Sequence, residues 1–318
     1  MADSRADELI AAAQRGDPRS LARLISLVEN GTEQLRSVMR AVAPHTGKAR
    51  VIGLTGAPGV GKSTVTDQLV RAYRAAGLRV GVLAVDPTSP FSGGALLGDR
   101  VRMADHATDS GVFIRSMASR GHLGGLSWSA PQALRILDAA GFDVVCVETV
   151  GVGQAEVEIA GLADTTIVVM APGLGDSIQT AKAGILEIAD IFVVNKNDRP
   201  GASDVARDLR AMLAMSGTGQ GAGAGWRPPI VLAAAASGAG IDDLVARLEE
   251  HWVWLAESGQ RAERRLARAR EEISAIAVAD IRRRLGGLPG GSRLDDLAEQ
   301  VAAGKLDPYS AADDLLAG

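Results

Sequence analysis

Val51-Ile52-Gly53-Leu54-Thr55-Gly56-Ala57-Pro58-Gly59-Val60-Gly61-Lys62-Ser63-Thr64 decides the fold class. Residues 51–55 form a short apolar, β-branched run, and Gly56 to Ser63 fit G-x-x-x-x-G-K-[ST] ahead of a helical pattern that begins near Thr64. Strand, glycine-rich turn and helix in this order bring successive backbone N–H groups together at a helix N-terminus, where they converge on phosphate oxygens. In such a P-loop the Lys62 ammonium bridges the β and γ phosphates, and the Ser63 hydroxyl ligates Mg²⁺. The expected nucleotide-binding set is therefore Gly56, Ala57, Pro58, Gly59, Val60, Gly61, Lys62, Ser63 and Thr64.

Outward from this segment, short β-branched runs recur at 51–55, 79–85, 112–115, 143–149, 165–171, 190–194 and 230–234, most of them separated by helical stretches. That alternation predicts an α/β fold, a mainly parallel sheet flanked by helices over residues 46–258. Residues 1–45 read as a helical extension, with Asp17 and Pro18 as N-cap and first helical residue of a stripe formed by Leu21, Leu24, Ile25 and Val28. Residues 259–318 read as a helical arm whose apolar stripe needs a partner chain. A long amphipathic helix stops there at Gly286-Gly287, and Ser292 with Asp295 suggests a capping box for the next. Ser216 to Gly225 is glycine-rich and reads as a surface loop.

Asn195-Lys196-Asn197-Asp198 follows the strand at 190–194 and matches N-K-x-D, the guanine-reading motif of P-loop GTPases. A carboxylate at Asp198 accepts from guanine N1–H and its exocyclic amino group, a donor pair that adenine lacks. Ala235-Ala236-Ser237, after the last strand, stands where that superfamily brings backbone toward guanine O6. The apolar run Asp143 to Glu148 ends in a carboxylate, a Walker-B position for holding Mg²⁺, and Gly151 beyond it is placed to sense the γ-phosphate. Asp86, at the end of the second strand, and Asp99 are candidate Mg²⁺ or water ligands in a switch I segment. Each also fits an N-cap or a salt-bridge partner.

The bulk composition narrows the function classes. The 318 residues carry 34 Lys plus Arg against 38 Asp plus Glu, a net charge of -4 that offers no counterion-release drive toward nucleic acid or anionic lipid. No apolar run approaches a membrane span, and the N-terminus lacks a signal-peptide pattern, so the expected setting is cytoplasmic. One cysteine, Cys146, excludes an internal disulfide and reads as a buried core residue. His45, His106, His122 and His251 are dispersed and make no metal cluster.

Together these residues resemble the methylmalonyl-CoA mutase-associated G-protein chaperones, a family also described as arginine/ornithine transport ATPases or kinases. The likeness runs through Gly16 to Glu29, Gly56 to Thr64, Val85 to Pro90, Val147 to Glu156, Asn195 to Asp198, Trp226 to Pro229 and Asp307 to Ala312. Its most discriminating piece is Glu148-Thr149-Val150-Gly151-Val152-Gly153-Gln154, where small Ras-like GTPases carry Asp-x-x-Gly. The resemblance implies a homodimer built through the C-terminal arm and a GTP/GDP cycle with Mg²⁺. It implies a role in gating cofactor delivery to an adenosylcobalamin-dependent methylmalonyl-CoA mutase, with a cobalamin adenosyltransferase as a further candidate partner. It assigns phosphate and metal work to Lys62, Ser63, Asp86, Asp99 and Glu148, a switch II role to Gln154, and a third mobile segment to residues 176–182. A metabolic kinase or transport ATPase is disfavoured by the guanine motif. A nickel or zinc metallochaperone is disfavoured by the absence of Cys and His clusters.

Overall fold

The computed structural model describes residues 2–31, 34–86, 104–106, 108–118, 129–149, 155–173, 187–215, 225–286 and 293–316. Among the described residues seven strands make one sheet: β1 (Arg50–Thr55), β2 (Val80–Asp86), β3 (Val112–Ala118), β4 (Val144–Thr149), β5 (Thr165–Met170), β6 (Ile191–Val194) and β7 (Ile230–Leu232). They lie in the order β3-β2-β4-β1-β5-β6-β7, and every pairing is parallel. The expected strands are all present; most ends fall within one residue of expectation, and two shift further. β3 continues to Ala118 because β2 pairs with it along its full length. β7 stops at Leu232 because Ala234 turns away to bridge Ala239.

Parallel strands need crossovers, and the helices that supply them bury both sheet faces. The helices are α1 (Ala2–Gln14), α2 (Pro18–Glu29), α3 (Leu35–Val42), α4 (Lys62–Ala75), α5 (Ala130–Ala139), α6 (Ala155–Leu162), α7 (Ala202–Met215), α8 (Ile241–Glu257), α9 (Gln260–Gly286), α10 (Arg293–Ala302) and α11 (Pro308–Leu316). Side-chain alternation in β4 sorts its residues between the two faces. Val144 and Cys146 pack with Val65, Leu69 and Val70 of α4 and Leu244 of α8. Val145 and Val147 pack on the other face with Leu24, Ile25 and Val28 of α2 and Ala133 and Leu137 of α5. The first three helices thus share a core with the central strands, and Asp17 caps α2 by accepting from the Arg19 and Ser20 amides. Cys146 lies fully inside this core, where burial pushes its thiol up to about 12. Among the described residues no helix is long and apolar enough to cross a membrane.

At the N-terminal edge of the sheet, opposite the P-loop, lies a buried polar network. The Asp190 carboxylate accepts from the Thr166 amide at 2.8 Å and from both terminal nitrogens of Arg264 at 3.0 and 2.8 Å. His251 of α8 is fully buried, with Nδ1 2.9 Å from Thr165 Oγ1 and Nε2 3.4 Å from Asp190 Oδ1, and the ring stacks on Trp254. Desolvation outweighs the pull of Asp190 and holds the imidazole pKa down at about 4, with Arg264 acting in the same direction. The unfolded chain therefore binds a proton at this histidine that the folded chain refuses between pH 6.5 and 4, and stability falls as pH falls through that window. The expected loss is about 3 kcal/mol across the window. Urea unfolding of the protein and of His251→Gln at several pH values checks it, the variant showing the shallower slope.

The chain divides into two units, residues 1–264 and 265–318. Within the second, α10 and α11 bury Leu297 and Ala311, and Asp307 caps α11 by accepting from the Tyr309 and Ser310 amides. Ile273, Ile276 and Ile281 of α9 are exposed. The expected capping residue Ser292 and most of the glycine-rich loop, residues 216–224, lie outside the described residues.

Candidate functional site

Ligand crevices in open α/β sheets form beyond the C-terminal strand ends, and the motif residues gather there from β1, β4, β6 and β7. Between β1 and α4 the chain passes through Gly56, Gly59 and Gly61, all with positive φ. At Gly56 (φ +138°) a Cβ would stand 2.2 Å from the Val169 carbonyl oxygen of β5, and at Gly61 (φ +98°) one would stand 2.3 Å from Asn195 Nδ2. Only glycine fits either place. The left-handed Gly61 caps α4, so the helix begins at Lys62, two residues before the expected start at Thr64. The Lys62 ammonium donates to the carbonyls of Gly56 at 2.7 Å and Ala57 at 3.1 Å, which holds a buried cation over the loop that precedes it. Val60 is buried beneath the loop, whereas Pro58, Gly59 and Thr64 are exposed.

Glu148 shares the face of β4 that carries Val144 and Cys146, and so points toward α4. It is only 5 % exposed, and a carboxylate buried this deeply needs donors. The Ser63 hydroxyl donates to its Oε1 at 2.6 Å, and the Thr66 hydroxyl lies 3.2 Å from its Oε2. The structure thus brings Ser63 and Glu148 together. It adds Thr66, which the motif reading missed; the available signal was a threonine one helical turn beyond Ser63 on the same face. Hard oxygen donors from a hydroxyl and a carboxylate beside a phosphate-binding loop suit Mg²⁺, which takes one or two carboxylates together with substrate phosphates.

The other half of the site follows β6 and β7. Asn195 is buried: its Nδ2 donates to the Val60 carbonyl at 2.9 Å, and its Oδ1 accepts from the Ala235 amide at 3.0 Å. One side chain therefore ties the P-loop to the segment Ala235–Ser237, a 3₁₀ turn with Ala236 and Ser237 exposed. Lys196 has φ +57°, the one positive value at a non-glycine among the described residues, and its ammonium donates to the Gly59 carbonyl at 2.7 Å. Strained backbone of this kind persists where surrounding contacts fix it, and here it sends successive side chains to different parts of one loop. The Asp198 carboxylate is exposed beyond them. Asp86 closes β2 opposite Ala118, but its side chain lies outside the description. Asp99, Gly151, Gln154 and the segment 176–182 also lie outside the described residues.

Comparison with known proteins agrees with this geometry. Residues 21–287 match the family model described as methylmalonyl Co-A mutase-associated GTPase MeaB. The chain is 49 % identical over 310 residues to a Pyrococcus horikoshii protein named "Putative GTPase", covering 98 % of this chain and 97 % of that one. It is 30 % identical over 329 residues to the mouse protein named methylmalonic aciduria type A homolog, mitochondrial, covering 98 % of this chain and 78 % of that one. Among solved structures, a crystal structure of an LAO/AO transport system kinase superposes with a TM-score of 0.71 at 25 % identity, covering 98 % of this chain and 96 % of that one. Similarity over nearly the whole chain settles the family: this protein is a GTPase of the methylmalonyl Co-A mutase-associated MeaB family.

Proposed function

We propose that this GTPase acts in the cytoplasm as a homodimeric chaperone, gating cofactor loading and protection of an adenosylcobalamin-dependent acyl-CoA mutase, with methylmalonyl-CoA mutase as the client. The observation that carries the reading is the family match over residues 21–287. The exposed Ile273, Ile276 and Ile281 of α9 support an arm that pairs with a second copy.

In this reading GTP lies across the strand ends with its phosphates in the loop Gly56–Gly61. The loop amides and Lys62 hold the β and γ phosphates, and the lysine balances charge that develops on the transferred phosphoryl group. Ser63 and Glu148 would hold Mg²⁺, with Asp86 and Asp99 as further candidate ligands, and the ion supplies neutralisation of phosphate charge. Asn195 keeps the phosphate loop and the Ala235–Ser237 turn in register, so the two ends of the nucleotide meet one rigid frame. Asp198 reads the base. Gly151 and Gln154 belong to the switch that follows Glu148.

A client that prefers one nucleotide state changes the other equilibrium by the same factor, since coupling is reciprocal. Titrating the mutase into the protein loaded with GDP or a non-hydrolysable GTP analogue, while following phosphate release, is expected to give affinities that differ by about 5- to 150-fold, together with faster turnover. Absence of binding in both states, with unchanged turnover, removes the mutase as client and leaves the GTPase assignment intact.

A further inference from the structure

Thr66 lies outside the phosphate-binding motif, yet its hydroxyl reaches the carboxylate beside that motif. It is fully buried, on the sheet-facing side of α4 one turn beyond Ser63. Its Oγ1 stands 3.0 Å from the Lys62 carbonyl and 3.2 Å from Glu148 Oε2, while the Ser63 hydroxyl donates to Oε1 at 2.6 Å. A hydroxyl has one proton to give. Donation to the carbonyl four residues back is the ordinary habit of a helical threonine. Here a buried carboxylate competes for that proton, and charge-assisted bonds are about twice as strong as neutral ones.

The two oxygens of Glu148 thus meet two hydroxyls on successive turns of one helix. The last torsion of a glutamate is broad and two-fold when nothing holds it. A donor at Oε2 removes that freedom and keeps Oε1 turned to Ser63. We propose that Thr66 is a positioning residue that fixes the orientation of the Glu148 carboxylate, and so sets the affinity of the GTPase site for Mg²⁺. This rests on the reading of Ser63 and Glu148 as the metal-holding pair. Groups that orient a metal-binding carboxylate without touching the metal are worth about 10- to 100-fold in metal affinity.

The test uses the full-length protein and three variants: Thr66→Val, which keeps the shape and removes the donor, Thr66→Ser, which restores it, and Glu148→Gln. Two readouts are taken against MgCl₂ concentration, the release rate of a fluorescent GDP analogue and GTP turnover. Thr66→Val is expected to need about 10-fold more Mg²⁺ for the half-maximal effect in both. Thr66→Ser should return to the wild-type curve, and GDP affinity in EDTA should be the same for wild type, Thr66→Val and Thr66→Ser. Wild-type Mg²⁺ dependence in Thr66→Val, alongside a shifted Glu148→Gln, overturns the role of Thr66 and leaves the metal pair standing. Equal shifts in Thr66→Val and Thr66→Ser also overturn it, since packing then explains the effect. An unshifted Glu148→Gln overturns the metal reading itself. If Thr66→Val does not fold, Thr66→Ala is read by the same criteria.

Discussion

Asp198→Asn is expected to weaken GTP by about 100-fold while xanthosine triphosphate binds more tightly than GTP, a reversal of base preference from one atom exchanged. The carboxylate sits exposed two residues beyond Lys196, whose ammonium donates to the Gly59 carbonyl of the phosphate loop at 2.7 Å. In the proposed reading guanine offers it two donors. Hydrogen bonds to a charged group are worth about 1.5 to 3 kcal/mol each, and losing the charge costs about 3 kcal/mol over the pair. At about 1.4 kcal/mol per tenfold, that is the stated loss. Asparagine presents an amino group where guanine has its own, which repels guanine and suits the carbonyl of xanthine. Calorimetric titration with GTP, XTP and ATP checks the result, and equal affinity of the wild type for ATP and GTP would sink it.

Asp190→Ala is expected to destabilise the protein by about 3 to 5 kcal/mol, the usual cost of removing one partner from a buried ion pair. The carboxylate is 1 % exposed and takes the fork of Arg264 as well as the Thr166 amide, and both lose these bonds together, while Arg264 keeps its bond to the Asp164 carbonyl at 2.8 Å. For a unit of 264 residues this lowers the melting temperature by about 10 °C. The network lies at the sheet edge opposite the P-loop, so GTP affinity measured well below the transition should not change. Scanning calorimetry and a binding titration on the same sample separate the two effects. A variant that melts with the wild type would show that the network adds specificity of packing and no net stability.

What the chain order determines is local. β-branched runs punctuated by glycine placed seven strands within a few residues, and the spacing from Gly56 to Ser63 announced the phosphate loop, because strand, turn and helix preferences there all act over fewer than about ten residues. The same locality found N-K-x-D and the strand-end position of Glu148. What only the tertiary structure decided are contacts between segments far apart in sequence. Asn195 joins Val60 to Ala235, Thr66 meets Glu148 across the α4 and β4 interface, and Asp190 gathers Arg264 and the neighbourhood of His251. No motif announces these, since a buried polar group is specified by whichever distant donor the topology delivers to it, and delivery depends on the order β3-β2-β4-β1-β5-β6-β7. The helical extension illustrates the same limit. Its stripe of Leu21, Leu24, Ile25 and Val28 was legible as a face in need of burial, but that it covers Val145 and Val147 of β4 follows from packing alone, because apolar attraction fixes how much surface is buried and not against which partner.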